Sequence, residues 1–176
     1  MPKLSKATIA KAFDEGDNAN TAAEKGAALE KLLAYLFSKV PGVYLHDKNV
    51  RDVHGSEEID LVFWNAREPD GLSFLPNILL FECKNWSAPV DSQAVVYFIN
   101  KVQTRHLGFG FLIAAAGITG NEGELSAAYQ HLTNALVQHD IKILVMDRQE
   151  LCALGHTDVL IELLQRKITN MVLRSF

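Results

Sequence analysis

A strongly apolar run near the middle of the chain ends abruptly in charged residues. Residues 78–81 are all apolar, and Glu82, Cys83 and Lys84 follow them directly. Since side chains alternate across a β-strand, Glu82 and Lys84 would share one face while Cys83 points to the other. An unpaired buried charge is costly, so this strand end should open into a polar site or a salt-bridge cluster. We therefore expect a carboxylate and an ammonium group to occupy one pocket.

The preceding apolar run, residues 59–64, has the same construction because it contains Asp60. If the two runs form neighbouring antiparallel strands, the carboxylates of Asp60 and Glu82 converge. Two carboxylates at ligand distance suit a hard divalent cation such as Mg²⁺, which prefers oxygen ligands. A bound cation can contact a phosphate oxygen and acidify its water, while Lys84 would orient that water and neutralise charge on phosphorus. This chemistry is phosphodiester hydrolysis.

The helix that should cover this site begins near residue 21. Thr21 and Glu24 have the spacing of a capping box, and apolar residues recur at three- and four-residue intervals over residues 28–37. We predict a helix that continues to about residue 39. Glu30 lies at the edge of its apolar stripe, where it could reach over the sheet as a further carboxylate or remain a solvated helix-edge residue.

The rest of the chain alternates between strand-like and helix-like patterns. The predicted order is α-β-β-β-α-β-α-β-α, with the first three strands on a meander, which indicates an α/β fold with a mixed sheet flanked by helices. Residues 1–20 are predicted to form a loosely attached helical arm, and residues 21–176 a single domain. The predicted strands are residues 43–50, 59–64, 78–83, 108–116 and 141–146, and the later helices are residues 92–106, 123–138 and one from about 157.

Composition limits the class of protein. The chain has 176 residues, of which 48% are hydrophobic and 22% charged. This length and composition suit one domain with a substantial core, and they exclude a disordered or collagen-like protein. No apolar run is long enough to span a membrane, and the first residues lack the apolar stretch of a secretory signal. We therefore expect a soluble, cytoplasmic protein with no membrane partner.

The net charge of −4 does not indicate a protein that binds polyanions over its whole surface. Contacts with nucleic acid would have to come from one face of the molecule. The candidates are Lys101 and Arg105 on the polar side of the predicted helix 92–106, and His46, Lys48, Arg51 and Arg67 near the strand edges.

Asp60 followed by Glu82-Cys83-Lys84 resembles the motif of the PD-(D/E)XK nuclease superfamily. Over residues 26–154 the chain more closely resembles the catalytic domain of Mrr-type restriction endonucleases. The matching features are the helix with Glu30, Glu58-Ile59-Asp60, Glu82-Cys83-Lys84-Asn85-Trp86, Gln93 in the next helix and the buried strand that follows. The resemblance implies a restriction-endonuclease-like three-layer fold, with the core order α-β-β-β-α-β.

The resemblance also implies roles for individual residues. Asp60 and Glu82 would bind the metal with the backbone carbonyl of Cys83, Lys84 would be catalytic, and Glu30 and Gln93 would be accessory catalytic residues. The implied cofactor is Mg²⁺, for which Mn²⁺ can substitute, and the implied substrate is DNA. The expected function is that of a metal-dependent DNA endonuclease in restriction or anti-phage defence.

Other readings of the same residues stay open. Asp60, Glu82 and Lys84 could form a structural salt-bridge network, and the domain could be an inactive module for nucleic-acid docking or assembly. It could also be an effector nuclease that acts on RNA after activation by a partner. Trp86 could pack on a sugar or base, or form a lid over the core.

The segments on either side of the predicted nuclease core indicate what partners the protein has. Mrr-type enzymes typically carry a separate DNA-recognition domain, and the arm before residue 21 is too short to be one, so a separate targeting or activating protein is expected. The predicted final helix keeps an apolar stripe almost to residue 172, which suggests a homodimer surface or a domain cut from a longer protein.

Overall fold

The computed structural model describes residues 1–51, 57–120 and 127–174. Six helices and five strands lie in these ranges. The helices are α1 (Lys6–Asp17), α2 (Ala22–Phe37), α3 (Ser92–Thr104), α4 (Ala127–His139), α5 (Arg148–Ala153) and α6 (Thr157–Arg174), and the strands are β1 (Val43–Arg51), β2 (Glu58–Asn65), β3 (Ile78–Lys84), β4 (Phe109–Ala114) and β5 (Lys142–Met146).

The five strands form one mixed sheet in the order β1-β2-β3-β4-β5. The first three strands are antiparallel neighbours, whereas β4 and β5 are added parallel to β3. Helices cover both faces of this sheet: Phe111 and Ile113 of β4 pack in one core cluster with residues of α2, whereas Leu112 and Ala114 pack in a second cluster with residues of α3. The predicted α/β class, meander and core order α-β-β-β-α-β are confirmed.

A group of phenylalanines packs beneath the strands that carry the acidic residues. Phe81 of β3 stacks on Phe111 of β4 with 4.3 Å between ring centroids, and Phe37 of α2 meets the Phe81 ring edge-on at 4.7 Å. All three side chains are fully buried, and burial of such a side chain stabilises a fold by about 1.5–3 kcal/mol. The strand ends near Asp60 and Glu82 therefore project from a rigid layer.

Helix α2 begins as predicted. The Thr21 hydroxyl accepts the N–H of Glu24 at 3.2 Å, and the Glu24 carboxylate accepts the N–H of Thr21 at 3.0 Å, so the capping box is complete. At the start of α3, the Asp91 carboxylate accepts the N–H of Ala94 at 2.9 Å. These two caps fix where the helices on the two sides of the sheet begin.

The first residues are not loosely attached, and that prediction is wrong. Ile9 and Phe13 of α1 are buried in the main core cluster. The guanidinium of Arg148 also donates to both carboxylate oxygens of Asp17, at 2.9 and 2.8 Å, and this bond holds the pKa of Asp17 below its usual value. Two apolar residues on a short polar helix thus suffice to anchor it, while the division of the chain at residue 20 stays a prediction.

Helix α6 uses most of its apolar stripe inside the molecule. Leu160 and Leu164 are fully buried in the main core, and Ile168 and Met171 pack against that core. Val172 and Leu173 are exposed at the end of the helix. The stripe is therefore explained largely by intramolecular packing, and the homodimer stays a prediction.

The predicted start of helix 123–138 lies outside the described residues, which resume at Ala127. Across residues 1–51, 57–120 and 127–174, no helix combines the length and hydropathy that crossing a membrane requires.

Candidate active site

The antiparallel register brings Asp60 next to the charged end of β3. The pairing of β2 with β3 runs as far as Leu61 opposite Phe81, and one further step in the same register places Asp60 opposite Glu82. Oδ2 of Asp60 accepts the backbone N–H of Cys83 at 2.6 Å. The two acidic residues thus converge as predicted. Where the backbone pairing of β2 with β3 ends, the Asp60 side chain continues the contact between the strands.

Glu82 lies between two lysine side chains. Its Oε1 is 2.8 Å from Nζ of Lys84, and its Oε2 is 2.7 Å from Nζ of Lys101. Glu82 is 3% exposed, so both of these ion pairs are withdrawn from solvent. Two ammonium groups compensate one buried carboxylate, which satisfies the requirement that a buried charge be paired.

Lys101 was predicted to contact nucleic acid, and this prediction is wrong. Lys101 is 4% exposed, and its Nζ also donates to the carbonyl of Glu58 at 2.6 Å. Sequence reasoning placed it on the polar side of α3 because it is charged. A signal was nevertheless present, since Lys101 follows the buried Phe98 by three residues and so lies on the inner side of the helix.

Arg105, the second predicted contact on this helix, is engaged by an acidic side chain. Its Nη1 donates to Oε2 of Glu57 at 2.7 Å and to the carbonyl of Lys101 at 2.9 Å. The guanidinium is about one quarter exposed. The polar side of α3 is therefore tied to the start of β2.

Burial and mutual repulsion alter the acid–base properties of the carboxylates. Burial, reinforced by the charge of Glu82, raises the pKa of Asp60 to about 6 against the opposing effect of the Cys83 N–H. Burial also raises the pKa of Glu30, although the charge of Lys48 acts in the other direction. Loss of hydration is thus the main cause of both shifts, and the neighbouring carboxylates add to it.

Lys84 retains its proton. Burial acts to lower the pKa of Lys84, but the charges of Glu82 and Asp60 together act more strongly, so the pKa lies above its usual value. Lys84 is therefore a cation at neutral pH, which favours a role in charge stabilisation over a role as a base.

An open cleft of about 660 Å³ lies beside these residues, between the first half of α2 and the ends of β2 and β3. Asp60, Lys84 and the half-buried Glu30 line it, whereas Glu82 does not. Trp86 stands at its rim, 44% exposed, with its ring 5.5 Å from Nζ of Lys84. Trp86 is therefore a wall of the cleft, and the interpretation as a lid over the core is wrong.

Asn85 is a positioning contact that sequence reasoning missed. Its side-chain amide donates to the carbonyl of Lys25 at 2.9 Å, which ties the end of β3 to α2. Gly16 of α1 leaves the space for this amide, because a Cβ at Gly16 would lie 2.5 Å from Nδ2 of Asn85. Both sides of the cleft are thereby held together at its floor.

Gln93 lies apart from this cluster. It is exposed in the first turn of α3 and is not among the residues that line the cleft. Its accessory role, like the roles of Asp60, Glu82, Lys84 and Glu30, stays a prediction.

The donor groups fit a hard divalent cation by their chemistry. Asp60, Glu82 and the carbonyl of Cys83 supply only oxygen, and the two carboxylates lie close enough for the charge of Glu82 to raise the pKa of Asp60 in addition to the effect of burial. Within the described ranges, no three Asp, Glu, His or Cys side chains lie together as a ready cation site. Glu82 in particular has both oxygens on ammonium groups, so it would have to share one of them with a metal ion.

The comparison with protein-family models matches residues 21–154 to the family Mrr_cat, described as "Restriction endonuclease". The matched range begins at the N-cap of α2 and ends just after α5, so it includes all the predicted site residues and every residue that lines the cleft except Asn20. A search of the curated proteins finds no match for the chain.

Proposed function

The chain belongs to the Mrr-type restriction endonuclease family, and on that premise we propose that it is a metal-dependent endonuclease that hydrolyses phosphodiester bonds in DNA. The family makes it a restriction-type nuclease, and service in restriction or anti-phage defence is the biological role that we propose for it. The observation that carries the proposal is the meeting of Asp60, Glu82 and Lys84 at one strand end beside an open cleft.

A cation bound here would polarise the phosphoryl group and acidify a water molecule, and Mg²⁺ or Mn²⁺ suits the oxygen donors. Asp60 and Glu82 would hold it together with the Cys83 carbonyl. Asp60 is oriented for this task by the Cys83 N–H. Lys84, as a cation, would neutralise charge that develops on the phosphate oxygens. Glu30 would accept a hydrogen bond from water on the opposite wall of the cleft.

The cleft also offers contacts for a nucleic-acid backbone. Lys25 lines it, and the exposed Lys48 lies close enough to Glu30 for its charge to oppose the rise that burial causes in the pKa of that carboxyl group. Trp86 at the rim presents an aromatic face on which a sugar or base can pack. One such cleft cuts one strand, so cleavage of a duplex would need two copies of the chain or two successive nicks.

The test is a cleavage assay on supercoiled plasmid DNA in Mg²⁺, in Mn²⁺ and in EDTA, with an RNA of matched length beside it. We expect nicked plasmid in both metals and none in EDTA. Absence of cleavage in every metal would favour the inactive docking module. Cleavage of RNA alone would favour the effector nuclease.

A further inference from the structure

Lys101 connects α3 to the two strands, β2 and β3, whose ends carry the acidic residues of the site. It extends from α3, and its Nζ bonds the carbonyl of Glu58 on β2 at 2.6 Å and Oε2 of Glu82 on β3 at 2.7 Å. We propose that Lys101 is a positioning residue of the active site, which holds Glu82 in one orientation and keeps the ends of β2 and β3 together. This inference rests on the proposed nuclease function.

The place of Lys101 along the strands supports a positioning role. The β2–β3 pairing extends only to Leu61 and Phe81, one step before Asp60 and Glu82. Beyond that step, the bridge through Lys101 and the bond from the Cys83 N–H to Asp60 connect the two strands. The spacing of the two acidic residues therefore depends on side chains, and Lys101 supplies two of the bonds.

The burial of Lys101 supports the same conclusion. A lysine that is 4% exposed loses nearly all of its hydration, and an apolar residue would pack at such a helix position without that loss. Phe98 and Val102 on the same side of α3 do pack in that way. The ring of Tyr97, 4.8 Å from Nζ, covers the ammonium further. Core packing alone would not require a charged residue at position 101. A role in orienting Glu82 does require one.

The two lysines at Glu82 differ in how far their side chains are exposed to solvent. The side chain of Lys84 is 23% exposed and lines the cleft, while that of Lys101 is 4% exposed and lies behind the carboxylate. We therefore expect Lys101 to keep its bond to Oε2, while Lys84 exchanges Oε1 for a phosphate oxygen when DNA binds. Lys84 is thus the member of the pair that faces the cleft, whereas Glu82 lies behind it.

The test compares Lys101→Met with Lys167→Met. Lys167 of α6 pairs with Glu150 of α5, away from the cleft. Its side chain is about three quarters buried, less than that of Lys101, and it controls for the loss of a shielded ion pair. Calcium affinity is measured by titration calorimetry, and kcat and KM for DNA are measured in Mg²⁺. Loss of a residue that orients a metal ligand typically weakens metal affinity or activity by about 10- to 100-fold.

We expect Lys101→Met to bind Ca²⁺ at least about tenfold more weakly and to lower kcat by a similar factor, with KM for DNA unchanged. Lys167→Met should match the wild type in all three quantities. Calcium affinity and kcat equal to those of Lys167→Met would overturn the inference, as would an increase in KM alone, which marks a DNA contact. If Lys101→Met does not fold, Lys101→Gln is measured with the same expectation.

The two proposals fail separately. A wild-type protein that binds Ca²⁺ and cleaves no nucleic acid would defeat the nuclease function, and the calcium comparison would still decide the role of Lys101. A wild-type protein that cleaves DNA, beside a Lys101→Met variant that does so equally well, would defeat the positioning role alone.

Discussion

Asp60 and Cys83 are joined across neighbouring strands by a hydrogen bond of 2.6 Å from the backbone N–H of Cys83 to Oδ2 of Asp60. This bond holds a buried carboxylate beside that of Glu82, and burial together with the charge of Glu82 raises the pKa of Asp60 to about 6. A carboxyl group whose pKa is higher in the folded protein than in the unfolded chain opposes folding at neutral pH. The site therefore reduces the stability of the fold that carries it.

Replacement of Asp60 by asparagine should relieve this cost. At pH 7.5 Asp60 is ionised in both the folded and the unfolded wild-type chain, so the full cost of burying its charge reduces the free energy of unfolding. This cost disappears as the pH falls through 6 towards 4. Asp60→Asn should raise the free energy of unfolding by about 1–3 kcal/mol at pH 7.5, and by little at pH 4. Urea unfolding at both pH values measures this. The exposed Asp70→Asn serves as control, and a variant that is destabilised at pH 7.5 would contradict the account.

Glu30 should contribute to turnover without being indispensable. It lines the cleft from α2, and burial raises its pKa, while Asp60 and Glu82 remain to hold a cation. Glu30→Gln should reduce the rate of plasmid nicking by about tenfold and leave the melting temperature within a few degrees of the wild type. The exposed Glu162→Gln on α6 is the matched control. Equal rates for the two variants would show that Glu30 is only a helix-edge residue.

Lys48 should contact the DNA backbone. It is exposed on β1 and its charge acts on Glu30, whereas Arg67 lies past the opposite end of β2 and donates to the carbonyl of Ser73 at 3.0 Å. Lys48→Ala should weaken DNA binding and lower the slope of log affinity against log salt concentration by about 0.9. Arg67→Gln should leave both unchanged. The opposite pattern, measured by fluorescence anisotropy over a salt series, would place the DNA on the other end of the sheet.

Gln93 can be tested against a neighbour on its own helix. The family resemblance assigns it an accessory role, and it is exposed in the first turn of α3, as Gln103 is in the last. Because an amide is neither an acid nor a base at neutral pH, Gln93 can contribute only hydrogen bonds, so Gln93→Ala should lower kcat by no more than about tenfold, while Gln103→Ala should leave it unchanged. If the rates of the two variants coincide in a nicking time course, Gln93 has no part in catalysis.

Much of the site could be predicted from local pattern. Alternation places Glu82 and Lys84 on one face of β3, and an antiparallel meander brings Asp60 to them, so three residues and their relation follow from periodicity. The role of Lys101 could not be predicted from the sequence, because residue type alone marks a charged helical position as solvent-facing. Only the tertiary structure shows that its ammonium group meets a buried carboxylate and a backbone carbonyl.

Two other errors also have physical causes. Helix α1 has few apolar residues, so its composition predicts weak attachment, although Ile9 and Phe13 reach the core. Helix α5 was not predicted at all, because six residues are too few for a periodicity to be recognised. Its capping box, formed by Asp147 and Glu150, was the available signal.

If Lys84 acts in phosphodiester hydrolysis, its removal must slow the cutting of DNA, and the quantity to measure is the rate at which Lys84→Ala nicks plasmid DNA in Mg²⁺. Glu82 keeps Lys101 as its partner in this variant, so the protein should stay folded, which a thermal melt beside the exposed Lys11→Ala checks. We expect nicking by Lys84→Ala to fall by at least about a hundredfold, while Lys11→Ala cuts like the wild type. Undiminished nicking by a folded Lys84→Ala protein would contradict this role of Lys84.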